Sequence, residues 1–302
     1  MVTRVGMFMP FSVNGPDESA TRLAQIADAG IDHVGIGDHV SFFGGLGFDG
    51  LIRGAALAAM HPTLPVYTGI YLLPLRHPVL VARQLSDIAQ LAPGRLIFGV
   101  GVGGEDRHES EVCGVDPATR GRRMNECLTV LRQLVTGQPV THHGEFFNLT
   151  DAVVAPAASV PIIVGGRSDA AVRRAGVLGD GWLGIWNSPT RFASATAQAA
   201  EAAEQAGRTD WAGRHGMQVW CGFGATREAG RAQVAPAMEL MYQIPFQRFE
   251  KYTPYGTPED VAEFLAPYVE AGCGEFNLIA QAADADQTIA AVAAVRKLLV
   301  SS

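Results

Sequence analysis

Eight short apolar, β-prone runs recur along the chain, at 5–9, 33–36, 66–71, 96–100, 161–164, 181–185, 217–223 and 275–280. The stretches between them carry helical spacing and helical punctuation: 17–29 closes on Gly30, 50–60 follows Asp49, 78–91 closes near Gly94, 121–135 on Gly137, 168–178 on Gly179 and 188–206 on Gly207. Ser188 before Pro189 and Thr257 before Pro258 read as N-caps with proline at the first helical position, and the closing glycines suit left-handed C-caps. A last helix is expected over 286–299. Strands alternating with helices predict parallel βα units, and the number eight selects a closed (β/α)8 TIM barrel over an open doubly wound sheet. The 302 residues read as one barrel domain, 1–302, with two segments in excess of a minimal barrel. Residues 138–160 predict a small hairpin around His143-Gly144, and 225–256 an extra helical stretch; both are expected to build the rim and lid on the side where the strands end.

The chain carries 23 Lys and Arg against 30 Asp and Glu, a net charge of −7, with no basic stripe to neutralise a phosphate backbone, so nucleic-acid binding is not expected. Cys113, Cys127, Cys221 and Cys273 form no CxxC and read as reduced thiols. The start, MVTRVGMFMPF, is too short in its apolar part for a signal peptide, and no 18-residue apolar run follows, so a soluble, cytoplasmic protein without membrane contact is expected.

In a (β/α)8 barrel the active site lies at the C-terminal ends of the strands. The second run, HVGIGDH, ends in Asp38 and His39, two titratable residues delivered to the barrel mouth, where an acid or base is as good a reading as a structural pair. The first run ends in Pro10-Phe11-Ser12, the third in Gly69-Ile70-Tyr71, and the fourth enters a glycine-rich stretch, Gly99 to Gly104, followed by Glu105. The fifth ends in Gly165-Gly166-Arg167-Ser168, opening a helix, where an anion site and a plain turn weigh equally. Phe42, Phe43, Phe48, Tyr71 and Trp186 are placed either in the core or on a pocket wall. His142-His143 lacks a carboxylate at ligand spacing and reads as solvent-exposed, and no HxH follows the first strand, so no metal site is expected.

The elements GIGDHV, TGIYLLPLRHPVLVARQLSDIAQLAPGRLIFGVGVGG, PIIVGGRSDAAVRRAGVLGDGW and GTPEDVAEFLAPYVEAG, in this order, resemble the bacterial luciferase-like flavin/deazaflavin oxidoreductases, most of all the coenzyme F420-dependent branch. The resemblance spans nearly the whole chain. It implies a catalytic acid/base at His39 with Asp38 beside it, and a non-prolyl cis peptide at Gly69–Ile70 that backs the cofactor ring. It also implies a loop of Gly101, Gly103 and Gly104 along the cofactor and a phosphate loop of Gly165, Gly166 and Arg167. A glutamate following the glycine loop serves as proton donor in the sugar-phosphate dehydrogenases of this branch. Glu105 is nearest, although this chain has one more glycine, while Glu109 and Glu111 read as helix-start charges. Those members also have a tryptophan four residues after the histidine, where this chain has Phe43, which speaks against glucose 6-phosphate as substrate.

The resemblance implies hydride transfer between F420 and a small organic substrate. Two alternatives are an FMN-dependent monooxygenase supplied with reduced flavin by a separate reductase, and a barrel that binds cofactor or ligand without turnover. A homodimer is expected by the same likeness. Substrate selectivity is assigned to 42–47, 138–160 and 225–256.

Overall fold

The computed structural model describes residues 3–9, 15–104 and 106–300. Eight parallel strands close into a barrel: β1 (Arg4–Phe8), β2 (Val34–Ile36), β3 (Val66–Thr68), β4 (Leu96–Gly101), β5 (Ile162–Gly165), β6 (Gly181–Ile185), β7 (Gly216–Phe223) and β8 (Glu275–Gln281). Each pairs with its sequence neighbour; β8 returns to β1 through Arg4↔Glu275 and Val5↔Phe276, and Ile162↔Phe98 joins β5 to β4. All eight expected strands are present. Their near-continuous apolar runs follow from burial on both faces, against the barrel interior and against the helices outside; in β4 all six residues of LIFGVG are buried.

The helices between them begin where the capping residues placed them. Asp49, Ser168, Ser188 and Thr226 each accept a backbone N–H in the first turn, and Thr257 makes a reciprocal capping box with Asp260. Among the described residues no helix is long and apolar enough to cross a membrane.

The two excess segments differ in placement. Val140–His143 pairs antiparallel with Asn148–Ala152, giving the expected hairpin, but it packs outside the barrel, where Arg83 and Ser86 donate to the carbonyls of Ala155 and Pro156. His142 is not solvent-exposed as its sequence suggested: Nε2 lies 3.1 Å from Glu126 Oε1, and the pair is largely buried. The missed partner sits in the preceding helix, 16 residues away, beyond the reach of ligand spacing. Segment 225–256 supplies helix Arg227–Tyr242, which lies on β7, and two 3-10 turns that bring the chain over the barrel mouth.

Polar groups close the opposite, N-terminal end. Glu275, at the start of β8, is held by Arg214, whose Nε lies 2.7 Å from Oε2, and by Arg4 at 3.3 Å. Burial opposes its charge, but these partners and His33 hold the carboxyl below its ordinary value. Next to Arg214, His215 accepts the Trp182 N–H at Nδ1 (3.3 Å), and burial lowers its pKa from 6.5 to about 4. A base depressed in the folded state stays neutral while the unfolded chain takes up a proton below pH 6.5, so its stabilisation is lost as pH falls from 6.5 towards 4. The loss across that window is on the order of 3 kcal/mol. Urea titrations at pH 7, 5.5 and 4 should show a shallower decline in His215→Gln than in the parent; parallel declines would assign the acid sensitivity elsewhere.

Candidate active site

The strand ends surround a cleft of about 1530 Å³ at the C-terminal mouth, large enough for an extended cofactor with a substrate beside it. His39 lines it, and its position is set by the residue before it. The Asp38 carboxylate, 2 % exposed, accepts from Arg76 Nη1 (2.7 Å) and Nη2 (2.8 Å) and from the N–H groups of Gly50 (2.9 Å) and Leu72 (2.8 Å). Burial raises the pKa of this carboxyl against the pull of Arg76 and the two N–H groups. Asp38 touches the cleft wall, but each of its oxygens is engaged by protein donors.

His39 opens a short hairpin, His39–Phe42 with Leu46–Phe48, that stands over the mouth. Its ring stacks on Phe42, centroids 3.9 Å apart at 25°. Nδ1 lies 3.1 Å from Oε2 and 3.2 Å from Oε1 of Glu109, and the same carboxylate accepts the N–H of Val40 (2.7 Å) and of Ser41 (3.3 Å). Burial opposes the charge of Glu109, but His39 and the two N–H groups outweigh it and hold the carboxyl below its ordinary 4.5. An ionised carboxylate only accepts, so the contact assigns a proton to Nδ1, and in the neutral form of the ring the lone pair then sits on Nε2.

Glu109 sits in helix Arg107–Val112, where the sequence marks it as a helix-start charge and gives it no partner. Asp106 caps that helix through the His108 N–H and takes the Phe43 N–H at 3.0 Å. The Asp-x-x-Glu spacing of 106–109 is that of a capping box, but Asp106 accepts from the second residue of the helix, His108, and the box is not formed. Glu109 instead turns to the hairpin, so the pattern that signals a helix start hides the partner of the histidine. Glu105 and Pro10-Phe11-Ser12 lie outside the described residues.

The floor is built around Ile70. The Gly69–Ile70 peptide bond is cis, as the resemblance implied. A Cβ on Gly101 would collide with Ile70 Cδ1, and one on Gly165 would stand 2.7 Å from Ile70 Cγ2, so these two glycines leave the room in which the isoleucine lies. Gly101 therefore seats Ile70 from behind and does not itself line the cleft, whereas Gly69, Ile70, Gly103, Gly104, Gly165, Gly166 and Arg167 all do. Trp182 Nε1–H donates to the Gly166 carbonyl at 2.8 Å and fixes the loop that opens helix Asp169–Leu178. Of the aromatics weighed as walls, Phe42 and Trp186 face the cleft; Tyr71 lies under the Arg76 guanidinium at 4.4 Å and Phe48 under Arg53 at 3.8 Å.

Among the described residues, three polar atoms of the cleft lining are buried without a partner: Gln218 Oε1, Arg120 Nη1 and Trp186 Nε1. Sequence gave no signal for Gln218 or Arg120, which are polar residues inside a strand and at a helix start. Segment 225–256 also contributes to the wall, through Met241, Tyr242 and Phe249 among others, while 138–160 contributes no described residue.

A family model described as luciferase-like monooxygenase matches residues 3–300. The F420-dependent glucose-6-phosphate dehydrogenase of Kineococcus radiotolerans is 32 % identical over 176 residues, 56 % of this chain and 52 % of that one. The chain thus spans about half the length of the curated relatives it matches. Among solved structures, an F420-dependent secondary alcohol dehydrogenase superposes with a TM-score of 0.85 at 20 % identity, covering 99 % of both chains. The oxygenating constituent of 3,6-diketocamphane monooxygenase from Pseudomonas putida, in complex with FMN, gives 0.77 at 19 % identity, covering 100 % of this chain and 99 % of that one.

Removing Arg76 would leave the Asp38 charge buried with backbone donors alone. Arg76→Ala is expected to lower the free energy of unfolding by about 3–5 kcal/mol, measured by denaturant titration; a loss below about 1 kcal/mol would mean the pair behaves as a surface ion pair.

Proposed function

We propose, from the premise that this chain belongs to the luciferase-like monooxygenase family, that it is an oxidoreductase moving hydride between coenzyme F420 and a small organic substrate. The observation that carries the reading is the Glu109 contact at His39 Nδ1, which leaves Nε2 as a base at the edge of the cleft.

The residues present fit a flavin-type cofactor. Gln218 Oε1, unpartnered and 2.7 Å from where a Cβ of Gly69 would stand, offers a hydrogen bond at the floor beside the cis bond. Gly166 and Arg167, at the N-terminus of helix Asp169–Leu178, with Arg120, whose Nη2 stands beside Gly104 and whose Nη1 is unpartnered, form an end suited to phosphate. Bound there, F420 supplies a planar two-electron hydride carrier, and the chain supplies orientation and proton handling.

Ile70 backs the ring position and His39 stands over the cleft on its hairpin. In oxidation of an alcohol, Nε2 takes the hydroxyl proton as the carbon–hydrogen bond is broken, and buried Glu109 stabilises the imidazolium that forms. Asp38 is a positioning residue: with its four donors it aims His39 and fixes the turn behind the floor. Segment 225–256 acts as the lid, and its aromatic face keeps water from the reacting atoms.

The second reading is an FMN-dependent monooxygenase fed by a separate reductase, supported by the FMN-bound structural neighbour. Fluorescence titration of the protein with oxidised F420 and with FMN separates the two. F420 is expected to bind at least tenfold more tightly, a difference of about 1.4 kcal/mol; the reverse order would move the protein to the monooxygenases. His39→Ala is expected to keep F420 affinity and to lower kcat by about 10²–10⁴-fold. Glu109→Gln should also depress kcat and displace its pH profile, since the amide no longer holds the proton on Nδ1. Full activity in both variants would remove His39 from the reaction.

A further inference from the structure

The cleft has two chemically different ends. Its cations gather on the β4–β5 side. Arg120 lies against Gly104, Arg167 follows β5, and Arg174 is already engaged, donating to Asn125 Oδ1 at 2.6 Å and to the Gly121 carbonyl at 3.2 Å. The free guanidinium groups there match the phosphate end of the cofactor proposed above.

Across the mouth, above β7, β8 and β1, the wall is aromatic and aliphatic. Phe8, Trp220, Ile279 and Phe249 belong to one buried cluster, with Trp186 and Tyr242 packed against it. Trp186 meets Phe249 at 4.6 Å between centroids and Tyr242 edge-on at 4.9 Å. The polar atoms of this wall satisfy one another: Trp220 Nε1–H donates to Tyr242 Oη at 2.9 Å. Trp186 Nε1 is left as the unpartnered donor. Gln247 and Arg248 are polar exceptions among the cleft-lining residues of the lid, and both stand exposed at the rim.

We infer that this aromatic wall is the substrate subsite, and that it takes an uncharged, hydrocarbon-bodied alcohol or the corresponding ketone, not a sugar phosphate. A phosphate placed against Phe249, Tyr242 and Trp220 would give up its hydration among ring faces, with Arg248 exposed at the rim and Arg167 held against the Trp186 ring, and among the described atoms of this wall a row of sugar hydroxyls would find Trp186 Nε1 as an unpartnered donor. An apolar body gains there what the sugar loses, because the wall removes hydrocarbon surface from water and offers ring faces to it. Ile244, an exposed aliphatic residue that also lines the cleft, continues the same surface outward from the lid. The inference rests on the hydride-transfer reading for the chemistry, but occupation of the wall is measurable without turnover.

The test is equilibrium binding to the full chain, by saturation-transfer NMR, of cyclohexanone and of glucose 6-phosphate, each with and without oxidised F420. With oxidised F420 occupying the cationic end, cyclohexanone is expected to bind and glucose 6-phosphate not to; the arm without F420 compares cyclohexanone binding alone. Phe249→Ala should weaken cyclohexanone at least tenfold, and Ile244→Asp, at an exposed position that leaves the core intact, should weaken it several-fold even if Phe249→Ala fails to fold. Arg248→Ala should leave it unchanged. Tighter binding of glucose 6-phosphate than of cyclohexanone, or cyclohexanone binding indifferent to both wall substitutions, would overturn the assignment. If F420 does not bind while cyclohexanone still binds in a wall-dependent way, the subsite stands and the cofactor reading fails.

Discussion

One carboxylate holds the active end of this barrel together. Asp38 follows β2 by two residues, yet its oxygens accept from the start of helix Gly50–Met60, from the chain just after the cis bond and twice from Arg76. Three segments that meet nowhere else in sequence are thereby referred to a single buried charge. Such a pair adds little net stability over a well-packed apolar alternative, because desolvation of both ions offsets most of the attraction, but losing one partner is severe. Its effect here is geometric. With every Asp38 oxygen engaged, the residue after it is the titratable group that reaches the cleft, in a direction fixed by the preceding backbone.

His39 in turn depends on a second buried carboxylate from a different part of the chain. Glu109 accepts from the imidazole and from the two N–H groups that follow it in the hairpin, while Asp106 takes the Phe43 N–H. This latch gives the histidine a defined orientation and tautomer. A group that must accept a proton benefits from a partner already ionised and already in place, since little reorganisation is needed when charge develops. The floor proposed for the cofactor follows the same rule by other means: Gly101 and Gly165 hold Ile70 by leaving space for it.

The barrel was legible in the sequence because its signal is repeated. Eight strands buried on both faces produce eight apolar runs, and caps such as Ser188 and Thr257 announce helices between them. The strand ends were legible for the same reason, since counting strands places Asp38-His39, Gly69-Ile70 and Gly165 to Arg167 at one mouth. What could not be read is the pairing of side chains across long separations. Arg76 is 38 residues from Asp38 and Glu109 is 70 from His39, and nothing periodic links them. Glu109 was further masked by lying in a helix of six residues, too short to show an apolar stripe. The 138–160 hairpin was legible as a hairpin but not in its placement, because whether an insertion turns toward the mouth or lies along the outer helices depends on contacts such as those of Arg83 and Ser86.

The division of labour within the cleft has a consequence for how such a site changes its substrate. The parts proposed for the cofactor are made of barrel: strand ends, glycines whose missing side chains set the distances, a helix N-terminus and a backbone carbonyl pinned by Trp182. Altering any of them disturbs the packing of a strand. Much of the proposed substrate wall is carried by a segment added to the barrel, stiffened within itself by Arg231 on Glu250 at 2.7 Å, by Tyr255 Oη on the same carboxylate at 3.0 Å and by the Phe246 N–H on Glu239 at 2.8 Å. Side chains such as Tyr242 and Ile244 can therefore be exchanged without moving the strands that hold His39 and Ile70. Trp186 is where the two halves touch. It carries the Arg167 guanidinium 5.1 Å from its ring and packs against Phe249 as well, so it belongs to the fixed barrel end and to the variable wall at once. A change of substrate that reached as far as Trp186 would also disturb the loop proposed to hold phosphate, which sets the boundary between what this scaffold can vary and what it must keep.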